Sequence, residues 1–357
     1  MRSLLASELN WDNVLLLAEE HGVQGILAKR LEQAEFAGVP AAARQRLQAR
    51  MRAQHLFTLS MTAELFRILE DFSKAGIDCI AVKGPVISQL AYGDPALRSY
   101  GDLDFLVRHK DVQAAAQRLM AMGFEPDLPL KVIRSDKIPG EYLFRRKETP
   151  RLVELHTEQT FRHYRERMRI DEMIGRKRLL LLEGRDVPAL SLEDEMVFDC
   201  VHGGKDFWER LMWVCDVATI LARSSEIDWE RTRRSAAEVG AGRMLRTGVL
   251  LATSVFGMRL PMGIAEEIER DRESRTLCDE IQKWLPYAGR REPSLTRRAI
   301  YRINMAGGGL SGARYLMRLS LSPTEDDWEH GAVAGGSWLW EAARRPLRLI
   351  RKYGSEE

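Results

Sequence analysis

The sequence has little of what marks a secreted, membrane or fibrous protein. Its four cysteines, Cys79, Cys200, Cys215 and Cys278, include no CxxC pair. That argues against a disulfide framework or a zinc finger and leaves reduced, buried thiols as the expectation. No stretch approaches the ~20 consecutive apolar residues that a membrane helix needs. Glu8, Asp12, Glu19 and Glu20 interrupt the first apolar run, which therefore reads as an amphipathic helix rather than a signal peptide. The expected location is the cytoplasm. No repeat of fixed period and no low-complexity tract occurs. An excess of one charge is missing as well, since 54 Lys and Arg face 52 Asp and Glu. The overall basic footprint of a nucleic-acid-binding chain is absent, although a local basic cleft stays open.

What is present is a chain of 357 residues, long enough for more than one core. Residues 1–75 carry apolar positions at helical spacing, through Trp11, Val14, Leu15 and Ala18 and again through Leu56, Leu59, Leu65, Ile68, Leu69 and Phe72. Gly76 is placed to stop the last of these helices. The pattern then changes. Strands are expected over 77–82, 102–107, 141–147 and 152–157, with a short proline-led helix over 85–92 and another helix over 111–122. From Ser191 the chain is helical again, with Asp194 three residues after the serine at a capping spacing. Helices are expected over 192–203, 207–223, 228–238, 241–256, 262–285, 293–305, 311–319 and 337–352. The fold class is therefore α+β, a small mixed sheet with helices (residues 76–190) embedded between helical regions 1–75 and 191–357.

The chemistry gathers in the α/β segment. Asp102 and Asp104 are two apart in the strand DLDFLV, so both carboxylates leave the same face, roughly 6–7 Å apart at Cα, while Leu103 faces the other way. Like charges side by side on a half-buried strand repel, and hard divalent cations relieve that repulsion. A bare Asp-x-Asp is more often a surface strand end, so its neighbours decide. Lys83-Gly84 follows the preceding strand, where glycine allows close approach to a phosphate and lysine supplies charge. The helix opening at Pro85 turns its N-terminus toward the same place. Arg98, four residues before Asp102, is placed either to reach a triphosphate, to brace the carboxylates, or to sit on the surface. In LVELH, Glu154 and His156 share one face, so Glu154 is a candidate third metal carboxylate, His156 is placed to hydrogen-bond it or the substrate, and either could be the base. His202 and Lys205 flank Gly203-Gly204, which should break a helix near the site, and they line the cleft or serve structure. Trp208 and Trp213 fit core packing, and Asp216 fits pairing with a basic side chain. The C-terminal run Arg344, Arg345, Arg348, Arg351 and Lys352 reads as a solvated helix face, with a membrane surface or nucleic acid as the alternative.

The order strand, glycine-containing turn, helix, Asp-x-Asp strand and later carboxylate strand resembles the DNA polymerase β-like nucleotidyltransferase superfamily. Its spelling here, KGPVI, then RSYGDLDFLV, then VELH, is similar to an uncharacterised bacterial nucleotidyltransferase family with a Lys-Gly turn in place of glycine–serine. The helical stretch from His202 to Asp216 and the tail segments 323–327 and 344–346 extend the resemblance over most of the chain. The resemblance implies Asp102, Asp104 and Glu154 as metal ligands and catalytic carboxylates, with glutamate where aspartate is usual. It implies Lys83, Gly84 and Arg98 at the nucleotide, and His156, His202 and Lys205 around the acceptor. The implied cofactor is Mg²⁺ or Mn²⁺. The implied reaction moves a nucleoside monophosphate from a nucleoside triphosphate to a hydroxyl of a small molecule, peptide or protein, releasing pyrophosphate. A nucleic-acid acceptor is disfavoured by the charge balance. The alternative is a nucleotide-binding or interaction module that kept the fold without catalysis, which the departure at the turn supports and the three carboxylates oppose.

Overall fold

The computed structural model describes residues 9–135, 140–147, 151–157, 170–287 and 294–321. The helix expected over 337–352, the basic run within it and the tail segments 323–327 and 344–346 lie outside them. Three helices open the described chain: α1 (Trp11–Glu20), α2 (Gln24–Gln33) and the long α3 (Ala41–Lys74). Asn10 caps α1 by accepting from the backbone N–H of Asn13. Gly76, at φ +70°, turns the chain from α3 into the first strand, a conformation glycine adopts without steric cost.

The α/β part runs β1 (Cys79–Val82), α4 (Gly84–Tyr92), β2 (Asp102–Val107), α5 (Val112–Ala121), β3 (Glu125–Pro126), α6 (Leu130–Ser135), β4 (Glu141–Arg145) and β5 (Leu152–His156). The five strands form one mixed sheet in the order β1-β2-β5-β4-β3. β2 and β5 are parallel, and the other pairs are antiparallel. A short helix α7 (Ile170–Gly175) leads to a separate hairpin of β6 (Arg178–Leu182) and β7 (Arg185–Ala189).

The sheet separates two cores, and strand alternation assigns each side chain to one of them. Leu103, Phe105, Val107, Val153 and Leu155 pack with Leu65, Ile68 and Phe72 of α3 and with Ala115 and Leu119 of α5. Ile80, Val82 and Leu106 leave the opposite face and join the core of the helical half. Asp102, Asp104, Glu154 and His156 share that second face by the same alternation, which puts them between the sheet and the helices.

The helical half comprises α8 (Leu192–Lys205), α9 (Leu211–Leu221), α10 (Trp229–Glu238), α11 (Gly242–Phe256), α12 (Met262–Arg270), α13 (Arg272–Trp284), α14 (Leu295–Met305) and α15 (Gly309–Leu321). Ser191 caps α8 by accepting from the backbone N–H of Asp194, as its sequence spacing suggests. No helix among the described residues is long and apolar enough to cross a membrane. The four cysteines are free thiols, with Cys79, Cys200 and Cys278 buried.

Three expectations for this half need correcting. His202-Gly203-Gly204 does not break the helix, because α8 runs through it to Lys205. The glycines serve packing: a Cβ on Gly203 would come within 2.5 Å of the Trp208 ring, and one on Gly204 within 2.9 Å of Met244. The chain instead reverses at Phe207 and Trp208, both at positive φ, so α9 starts at Leu211 rather than at 207. The span 262–285 is two helices, divided at Asp271, whose side chain caps α13 by accepting from the Ser274 N–H.

Candidate active site

Asp102 and Asp104 lie on β2 as the alternation requires. Register pairs Asp104 with Val82 on one side and with Glu154 on the other, so Asp104 and Glu154 are direct cross-strand neighbours. His156 Nε2 reaches both carboxylates, 2.9 Å from Asp104 Oδ1 and 3.2 Å from Glu154 Oε2. From the other side Lys83 Nζ donates to the same Asp104 Oδ1 at 2.6 Å. Lys83 closes the β1–α4 turn with φ +53° and ψ −150°, a region nearly restricted to glycine. Strain of that kind persists only where surrounding contacts fix it, and the Lys83 side chain is held by its ion pair with Asp104 and its carbonyl by the Val86 and Ile87 N–H groups. Gly84 follows, also at positive φ, and a side chain on it would press on the Asp102 carbonyl at 3.3 Å.

The electrostatics follow from this packing. Burial alone would raise the Asp104 carboxyl, but Lys83 and His156 outweigh burial and hold it far below the usual carboxylate range. Burial would depress the His156 imidazolium, yet its hydrogen bonds to Asp104 and Glu154 hold it up, to about 9. Asp102 moves the opposite way from Asp104: burial and then the Asp104 charge raise it to about 6. The two aspartates of one motif are therefore unequal.

The residues present fit a divalent cation. Asp104, Glu154 and His156 offer ligand atoms within 4.8 Å of one another. Asp104 is 1% exposed, and its Oδ2 is buried without a hydrogen-bond partner, an acceptor left open where nearly all buried acceptors are satisfied. Carboxylate oxygens suit Mg²⁺ or Mn²⁺, and an imidazole in the set is compatible with Mn²⁺. This trio differs from the expected set in taking His156 where Asp102 was expected.

The remaining expected residues fall into two groups. Lys205 Nζ lies 3.5 Å from Glu141 Oε1, and the same oxygen lies 3.7 Å from His156 Nδ1. The helical half thus reaches the carboxylate cluster through Lys205. His202 packs edge-on against Trp213, and burial followed by the Lys83 charge keeps its imidazole well below the usual histidine range, hence neutral. Arg98 is placed differently from a phosphate-reaching residue. It is 5% exposed and its Nε donates to Asp216 Oδ2 at 2.9 Å, while Tyr92 Oη donates to the other oxygen at 2.7 Å. Arg98 braces the loop before β2 against α9, and Asp216 is the acid it pairs with. Trp208, fully buried, is a core residue.

Sequence reasoning missed three neighbours of the site. Glu141 was visible as a strand residue, but only the register of β4 on β5 sets it opposite His156. Glu195 and Asp199, on α8, are buried with unpartnered oxygens around the Arg98–Asp216 pair. Burial, then the Asp216 charge, raises Glu195 to about 8. A carboxyl raised in the folded state holds a proton that the unfolded chain has released, so folding loses stability as pH rises from ~4.5 to ~8. Glu195→Gln should flatten that decline. Urea midpoints measured from pH 5 to 9 should diverge in favour of the variant as pH rises; parallel profiles would show that Glu195 carries no such proton.

No curated protein matches the chain. A family described as an uncharacterised nucleotidyltransferase matches residues 7–257, a span that contains every strand of the sheet, all of the carboxylates above and helices α8 to α10. With its mixed sheet, its paired aspartates on β2 and this match over well over half its length, the chain belongs to that nucleotidyltransferase family.

Proposed function

We propose that this chain transfers a nucleoside monophosphate from a nucleoside triphosphate to an acceptor hydroxyl. The observation that carries the reading is the meeting of Asp102, Asp104 and Glu154, from adjacent parallel strands, with the Lys83-Gly84 turn on one sheet face. Asp104 and Glu154, with Asp102 beside them, would hold Mg²⁺ or Mn²⁺, whose charge would stabilise the phosphates and lower the acceptor's pKa.

The chain's own residues account for the rest. Lys83 supplies an ammonium at the start of α4, where positive charge and the helix N-terminus favour a polyphosphate. His156, whose Nε2 lies within reach of both carboxylates, orients them. Glu154 is the more exposed of the two carboxylates that His156 touches and is the base in this reading. The acceptor oxygen would bond to the α-phosphorus, its proton would pass to Glu154, and the bond from that phosphorus to the bridging oxygen would break, releasing pyrophosphate. Lys205 and His202, on α8 facing the cluster, would border the acceptor. The balanced net charge favours a small molecule, peptide or protein over nucleic acid as that acceptor.

The test uses nucleoside triphosphates labelled in turn at the α- and γ-phosphate, incubated with the protein, Mg²⁺ and fractionated small-molecule and protein pools. Label from the α position should enter an acceptor with one pyrophosphate released per transfer. Transfer of the γ label instead would make the chain a kinase and overturn the proposal.

A further inference from the structure

The Asp104 carboxylate has one oxygen engaged and one open. Lys83 Nζ and His156 Nε2 both sit on Oδ1, at 2.6 and 2.9 Å, whereas Oδ2 is buried and has no hydrogen-bond partner. A carboxylate that offers one oxygen to each of two metal ions needs both oxygens free. From this geometry we infer that the site takes a single divalent cation, and that the Lys83 ammonium stands permanently where a two-metal site would hold its second. This inference rests on the proposed metal-dependent function and narrows it.

Three further features agree. Lys83 meets Asp104 from a backbone conformation suited to glycine, so the chain holds a lysine where glycine would cost less. The side chain is 18% exposed, so the ammonium is seated among the carboxylates rather than waving in solvent. The compact group contains two carboxylates, Asp104 and Glu154, and leaves Asp102 out, which is the composition of one site rather than two. An ammonium carries a single charge and cannot activate a hydroxyl as a divalent ion does. Lys83 would therefore serve the polyphosphate and leaving group by charge rather than activate the acceptor.

The experiment is Mn²⁺ binding to the full chain, counted by the loss of the free-ion electron paramagnetic resonance signal. Wild type should bind one Mn²⁺ per chain. Lys83→Gly, which suits the φ of +53° and should fold, should bind two. Lys83→Met, a second variant that keeps a side chain of similar length, should likewise gain a site, and Lys83→Arg should keep one. Thermal melts establish that each variant is folded. Two ions on wild type would overturn the inference and leave the proposed function standing. One ion on both Lys83→Gly and Lys83→Met would also overturn it, since the ammonium would then exclude nothing. No Mn²⁺ on wild type would overturn the metal reading beneath both.

Discussion

Asp104→Asn should reduce nucleotidyl transfer by at least about 10³-fold, the scale of losing a central electrostatic group in an active site. Asp104 is the point at which Lys83, His156 and the open metal-facing oxygen meet. An asparagine of the same shape has no charge to offer. In one rotamer it would also turn an NH₂ toward the Lys83 ammonium and the His156 ring, two donors facing a donor. Two buried or half-buried cations would lose their shared counter-charge, so folding should weaken too, by about 3 kcal/mol. The loss of activity should appear in kcat at saturating nucleotide, measured on protein shown to be folded. Asp102→Asn should cost less, because Asp102 lies outside the compact ligand group. Equal activity of Asp104→Asn and wild type would remove this carboxylate from the mechanism.

Arg98→Met should destabilise the fold by roughly 3–5 kcal/mol, the cost of leaving a buried charge without its partner. Arg98 and Asp216 are both almost fully buried, and the pair joins the loop before β2 to α9. The backbone of the same loop is pinned as well: the Arg98 N–H donates to Ser88 Oγ, which donates to the Asp94 carbonyl. Without the guanidinium, Asp216 would face Glu195 and Asp199 with only Tyr92 as a donor. Urea unfolding should show the lower midpoint. Arg98→Met/Asp216→Leu should recover most of it, because apolar residues of similar volume replace the pair without an orphaned charge. Arg98→Lys should recover less, since a point charge does not reproduce the geometry of the guanidinium. If the single variant lost less than about 1 kcal/mol, the range of a surface pair, the clamp between the halves would be elsewhere.

Much of the sheet was legible because it obeys short-range rules. The alternation in DLDFLV and LVELH put Asp102, Asp104, Glu154 and His156 on one face, and the structure has them there. The Lys-Gly turn and the proline-led helix after it were readable from the same local chemistry. What failed depends on partners far away in the chain. The β6–β7 hairpin turns through Glu183 and Gly184, both at positive φ, and glutamate is not the Asn or Asp that usually marks such a turn. Gly203 and Gly204 look like helix breakers until Trp208 and Met244 are seen filling the space their side chains would need. The partner of Arg98 lies 118 positions away on another helix, so no local pattern could separate a phosphate-binding arginine from a brace. His156 looked like a neighbour of the site, and only the register of β5 on β2 shows it bridging two carboxylates.

The most direct measurement is calorimetric titration of ATP, GTP, CTP and UTP into the protein with Mg²⁺, beside the Asp102→Asn/Asp104→Asn protein. One nucleotide should bind, only with the metal present, and binding should be lost or greatly weakened in the double variant. Nucleotide binding of undiminished affinity in the folded double variant, or without any divalent cation, would contradict a metal-dependent transferase site on this face of the sheet.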